Sequence, residues 1–123
     1  MTELATVDAG RAGCVQRTFF DVTDPTGSVI GVDAGYVSAP VLDPSGLPVH
    51  MLGNAFLQVT LHGVSADRYT GPTDLLGFNI GGVAEMRQTQ NFEATVTWVI
   101  GLDRVRPFRV FQLSASSVTV ETG

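Results

Sequence analysis

Residues 91–113 read NFEATVTWVIGLDRVRPFRVFQL, and the fold class turns on how they are parsed. Phe92, Ala94, Val96, Trp98, Ile100 and Leu102 alternate with Glu93, Thr95, Thr97, Val99 and Gly101. A period of two puts successive side chains on opposite faces of an extended chain, so the pattern predicts one long half-buried strand, Glu93–Leu102, as the spine of the core. This strand stops at a knot of charge, Asp103-Arg104-Val105-Arg106, and the chain resumes after Pro107 as FRVFQL. One reading of the knot is a hairpin end in which Asp103 pairs with Arg104 or Arg106 and Pro107 sets the next strand. The other is an arginine cluster offering forked donors to a carboxylate or phosphate.

Outward from that stretch the same period recurs. LATVDA reads as a first strand and CVQRTFFDV as a second, ending at the turn residues DPTG. SVIGVDAGYV follows, its glycines suggesting a bulge or bend, and LDPSGLP marks another turn. In NAFLQVTLHGV, Leu57, Val59 and Leu61 form a core face, while Phe56, Gln58, Thr60 and His62 form a mixed one. Residues Ser65–Gly82 show no clean pattern, so they are expected to form a long irregular connection. Its apolar members Leu75, Leu76, Phe78 and Ile80 are expected to pack down, with a short helical turn at PTDLLGF. VAEMRQTQ, FRVFQL and VTVET complete the strands, the last two joined by a SASS turn. The expectation is an all-β, antiparallel β-sandwich or small, partly closed β-barrel of about seven to eight strands.

Composition agrees. The chain has 123 residues, 44% hydrophobic and 15% charged, which suits a single β domain over 1–123 with one core. Its net charge is −5, and all seven basic residues are arginine. An acidic chain argues against nucleic acid, which needs a basic footprint, and against an anionic membrane surface. Arginine without lysine fits a GC-rich coding sequence, a hint of an actinobacterial source. A lone cysteine, Cys14, excludes an internal disulfide and is read as a small buried hydrophobe. No apolar run approaches the ~18 residues that predict a membrane span. The opening MTELATVDAGRAG lacks the basic start and apolar segment of a signal peptide. A cytoplasmic location is therefore expected if Met1 is the native start, and an extracytoplasmic one if the chain is a trimmed mature domain.

GNAFLQVTL, YTGP and above all NFEATVTWVIGLDRVRPFRVFQL resemble the AMIN-like domain of actinobacterial secreted proteins and lipoproteins. GRAGCVQRTFFDV is similar to that family's opening strand pair, and GYVSAPVLDPSGLPV to its next strand and turn. The resemblance implies a small β-sandwich, named for its likeness to domains that attach periplasmic amidases to the cell wall, with no established catalytic residues. This chain differs in beginning the domain almost at Met1 and in ending SASSVTVETG, where the family tends to have a proline-containing P-x-R-L-V-V-D strand.

The chemical candidates are few. His50 and His62 share no metal-like spacing, so neither metal nor cofactor is expected. Ser114, Ser116 and Ser117 sit in a turn without a nucleophile elbow, and the glycines form no nucleotide-binding motif. Glu85, Arg87 and Glu93 are expected to point outward and pair across a solvated face. Trp98 is either core or the wall of a cavity, and His62 either a polar strand end or a proton carrier at a pocket mouth.

Two function classes follow. The first is a non-catalytic or ligand-binding β-domain, the resemblance adding a cell-wall component as its partner. The second is an intracellular cyclase, in which an apolar pocket orders a hydrophobic polyketide-like chain and a few polar groups polarise a carbonyl. There Phe56, Trp98 and Phe111 would be walls, His62, Tyr69 and Arg104 polar contacts, and Ser65–Gly82 a lid. That arrangement needs Phe56 and Trp98 to face one cavity. A homodimer through paired sheet edges is a further expectation.

Overall fold

The computed structural model describes residues 2–12, 15–23, 30–42, 45–76, 82–114 and 116–123. Cys14, the DPTG turn, Phe78 and Ile80 lie outside the described residues, as does the side chain of Leu76. The chain is all-β. Its strands are β1 (Thr2–Ala12), β2 (Val15–Thr23), β3 (Gly31–Val37), β4 (Ala55–His62), β5 (Val64–Ser65), β6 (Asp74–Leu76), β7 (Val83–Phe92), β8 (Thr95–Leu102), β9 (Phe108–Ser114) and β10 (Ser117–Thr122). They form two five-stranded sheets among the described residues, β5-β1-β2-β10-β9 and β3-β4-β8-β7-β6, here called the first and second sheets.

The ten strands exceed the seven to eight expected because β5 and β6 are two and three residues long. Both fall at or within the segment read as irregular, and Asp74–Leu76 is strand where a helical turn was expected. Strand β3 pairs with β4 in unbroken register, so its glycines mark no bulge. Register shifts lie instead in β1 between Leu4 and Thr6, in β7 between Val83 and Glu85 and between Gln88 and Gln90, and where β10 meets β9 at Ser117 and Val118.

Residues 91–102 differ most from the expected strand. They are not one strand from Phe92 to Leu102. Phe92 pairs with Thr95 across a two-residue turn, in which Glu93 and Ala94 take φ values of 50° and 57°. Positive φ at both central residues is the turn that matches the right-handed twist of a hairpin. Because paired residues share a face, the turn moves Phe92 to the opposite side of the sheet from Val96 and Trp98. Phe92 is accordingly exposed, not core.

The core lies between the sheets. Leu57, Val59 and Leu61 of β4 meet Val96, Trp98, Ile100 and Leu102 of β8 on the inner face of the second sheet. Leu4, Phe20, Val22, Val118 and Val120 answer from the first sheet. Each such side chain, fully buried, contributes about 1.5–3 kcal/mol.

Strand β8 is also covered on its outer face, where Val99 is fully buried in register between Gln58 and Arg87. Beside it the β3–β4 connection crosses the sheet. Asn54 N–H bonds the Leu102 carbonyl at 2.8 Å, and Gly101 leaves no room for a Cβ beneath the Leu52 carbonyl.

Candidate functional site

Trp98 lies within the core cluster between the sheets. Its indole is fully buried, with Phe20 edge-on at 6.2 Å and Tyr69 at 6.1 Å between ring centroids. The indole N–H has no protein partner among the described residues. Tyr69 is half-buried, donates its hydroxyl to the Pro72 carbonyl at 2.7 Å, and has its pKa pushed up by burial. Phe56 is paired with Gly101, one face removed from Val59 and its partner Trp98. Phe56 and Trp98 thus face opposite sides of the sheet. His62, exposed on the outer face at the end of β4, bonds Asp33 through Nε2 at 2.7 Å. Of the six sequence candidates, Tyr69 and Trp98 are brought together, Phe56 and His62 lie on the outer face of the second sheet, Phe111 on the first sheet and Arg104 in the turn after β8.

The arginine turn divides its labour. Arg106 bonds Asp103 through two parallel N–H groups, Nε to Oδ1 at 2.8 Å and Nη2 to Oδ2 at 2.9 Å. This fork holds the Asp103 carboxyl below the usual carboxylate range. Gly82, at φ +101°, lies directly against the pair, where a Cβ would strike both side chains. The hydroxyl of Tyr36 accepts from Arg106 N–H and donates to the Arg106 carbonyl, tying edge strand β3 to the turn. These contacts make Arg106 a structural clamp, as the hairpin-end reading of the charged knot expects. Arg104 is left exposed.

Glu85 departs from expectation. It is 4% exposed, and its Oε1 accepts the Leu52 N–H at 2.9 Å. Burial first, then a hydrogen bond with Asp74 across the β6–β7 pair, pushes its pKa up, while the Leu52 N–H and Arg87 pull the other way. It is a buried carboxyl beneath a loop rather than one partner of a solvated ion pair.

The concentration of outward-facing chemistry that sequence reasoning missed lies on the outer face of the first sheet. There Gly10, Arg17, Glu121 and Arg109 stand in one row across β1, β2, β10 and β9, and Asp8, Phe19, Thr119 and Phe111 in the next. Glu121 lies between two guanidiniums: Arg17 Nε reaches Oε2 at 3.0 Å and Arg109 Nε reaches Oε1 at 2.8 Å. Arg109 and then Arg17 hold its carboxyl below the usual range. Both guanidiniums lie over Phe111, at 5.4 Å for Arg109 and 5.9 Å for Arg17. Beside this row a groove of about 220 Å³ is lined by Val15, Pro107, Phe108, Arg109, Glu121 and Gly123. Phe111 is the one sequence candidate here. No sequence signal joins Arg17 to Arg109, since only strand order brings β2 and β9 to either side of β10.

A family model matches residues 2–121 of this chain, that of the AMIN-like domain. The chain belongs to the AMIN-like domain family. No curated protein and no solved structure matched it. The sandwich that the resemblance implied is what the AMIN-like chain adopts, and the match spans both sheets rather than the Trp98 stretch alone. Among the described residues of this AMIN-like domain, no cluster of three metal-ligating side chains forms and no helix is long and apolar enough to cross a membrane.

Proposed function

We propose that this AMIN-like domain is a non-catalytic binding module that holds a cell-wall component on its surface. The observation that carries the reading is the packing at Trp98, where the buried indole has Phe20 and Tyr69 edge-on against it. With the indole packed against two rings, this reading assigns recognition to the faces of the sandwich. The outer face of the first sheet has the polar groups for it, in guanidiniums ordered on a rigid strand framework rather than on loops. The cyclase reading gains no support from Phe56 and Trp98, which do not share a cavity.

The test is sedimentation of the purified chain with insoluble cell walls at low and physiological salt. Depletion of the protein from the supernatant, saturable and competed by soluble wall fragments, is the expected result. A chain that stays in solution with every wall preparation would overturn the proposal.

A further inference from the structure

We infer that Arg17 and Arg109 form a binding site for a carboxylate or phosphate group, with the rest of the ligand lying in the groove between Val15 and Pro107. This deepens the surface-binding reading above by naming the face and the chemical group it takes.

The first support is the count of donors. Each guanidinium reaches Glu121 through Nε alone, and the terminal nitrogens of both have no partner among the described residues. A guanidinium carries five N–H donors in a planar fork matched to an oxyanion. Most of that capacity is unused here. The Arg109 side chain is 71% exposed, so its free edge is open to a ligand.

The second is that these donors are already ordered. Glu121, only 11% exposed, grips both through separate oxygens, and both lie over the Phe111 ring. An exposed arginine normally loses rotamer freedom on capturing an anion. Held between a carboxylate and a ring, these two have lost much of it beforehand, which favours binding.

The third is charge. In the row Gly10–Arg17–Glu121–Arg109, two guanidiniums meet one carboxylate side chain. This occurs in a molecule whose net charge is −5. A positive spot on a negative surface is where an anion is drawn, and the effect weakens as salt rises.

The groove sets the size of what accompanies the anion. At about 220 Å³ it lies below the roughly 300–1,000 Å³ of pockets that enclose drug-sized ligands, so it fits one small ring or a short chain. Val15, Pro107 and Phe108 give it apolar walls, with Arg109 and Glu121 at the polar side. The matching ligand is a carboxylate or phosphate attached to a small, largely apolar body.

The experiment is an amide and arginine-Nε NMR titration of the whole chain at low salt. The probes are benzoate, phenyl phosphate and the neutral benzamide. Benzoate, phenyl phosphate or both should shift the signals of Arg17, Arg109 and Glu121 saturably, and benzamide should not. Which anion saturates first tells a carboxylate ligand from a phosphate one. Arg109→Gln should weaken the binding about 10-fold or more, the scale of losing hydrogen bonds to a charged group. Arg104→Gln, on the exposed turn, should leave it unchanged. The inference is overturned if neither anion saturates, if benzamide titrates equally, or if a folded Arg109→Gln chain binds as the parent does. Sedimentation with walls reads the other proposal separately. Anion binding without wall binding leaves this site standing and removes the wall, while wall binding without anion binding does the reverse.

Discussion

At the scale of single residues, Glu93 and Ala94 decide how the signature stretch folds. Left-handed φ at a residue with a Cβ costs roughly 1–2 kcal/mol, and here two such residues follow one another. Hairpin turns of this type normally carry Asn-Gly, which relieves that cost and also announces the turn. Its absence is why alternation from Phe92 to Leu102 reads as one strand. The carbonyl of Ala94 accepts from both Gly63 and Val64, at 2.8 and 3.1 Å, so the turn also anchors the corner where β4 leaves its sheet for β5. Those acceptors are backbone and survive substitution. Glu93→Asn with Ala94→Gly should therefore stabilise the domain by about 1–2 kcal/mol. Urea denaturation would measure it, and a double variant no more stable than the parent would show that the turn is unstrained.

At the scale of elements, β8 is the strand everything else covers, and its sequence says so in part. A half-buried strand alternates, but VTWVIGL is nearly continuous in apolar residues, the mark of burial on both faces. Reading alternation alone sent Val99 outward, when it is fully buried. What cannot be read locally is the cover itself, because Leu52 and Asn54 reach β8 only through the tertiary fold. Strands of two and three residues, like β5 and β6, are likewise too short for any period to register. Gly101 is the point where cover and strand meet. A methyl group there would overlap the Leu52 carbonyl, forcing apart the Leu52–Glu85 and Asn54–Leu102 hydrogen bonds. Gly101→Ala should cost about 1–3 kcal/mol, as overpacking does elsewhere. Faster limited proteolysis within 38–54 should accompany the loss. Parental stability and an unchanged cleavage pattern would mean that the connection does not lie on β8.

At the scale of the whole molecule, the all-β class and most of the inner faces were legible because burial imposes a period, whereas the strand order and the outer faces were not. Arg17, Arg109 and Glu121 lie far apart in sequence and meet only through the strand order β2-β10-β9. The same holds for Glu85 and Asp74, whose pairing needs β6 to exist. These carboxyls give the domain opposing responses to pH. Asp103 and Glu121, held low by arginines, contribute stability above the ordinary carboxylate range and lose it as pH falls through their folded values. Glu85 works in reverse. Its folded pKa is raised, so between the unfolded value of about 4.3 and that raised value the native state binds more protons than the unfolded chain, and stability falls as pH rises. A protonated Glu85 can donate to Asp74 while still accepting from Leu52. Glutamine keeps both capacities without the charge. Glu85→Gln should therefore raise the melting temperature at neutral pH, and the gain should shrink as pH falls towards 4. The variant should also lose the part of the decline with rising pH that the parent shows on the alkaline side of its optimum. Thermal melts of both chains from pH 4 to 8 would measure this. A variant that is less stable at pH 7, or shifted equally at every pH, would mean that Glu85 is ionised and content beneath the Leu52 loop.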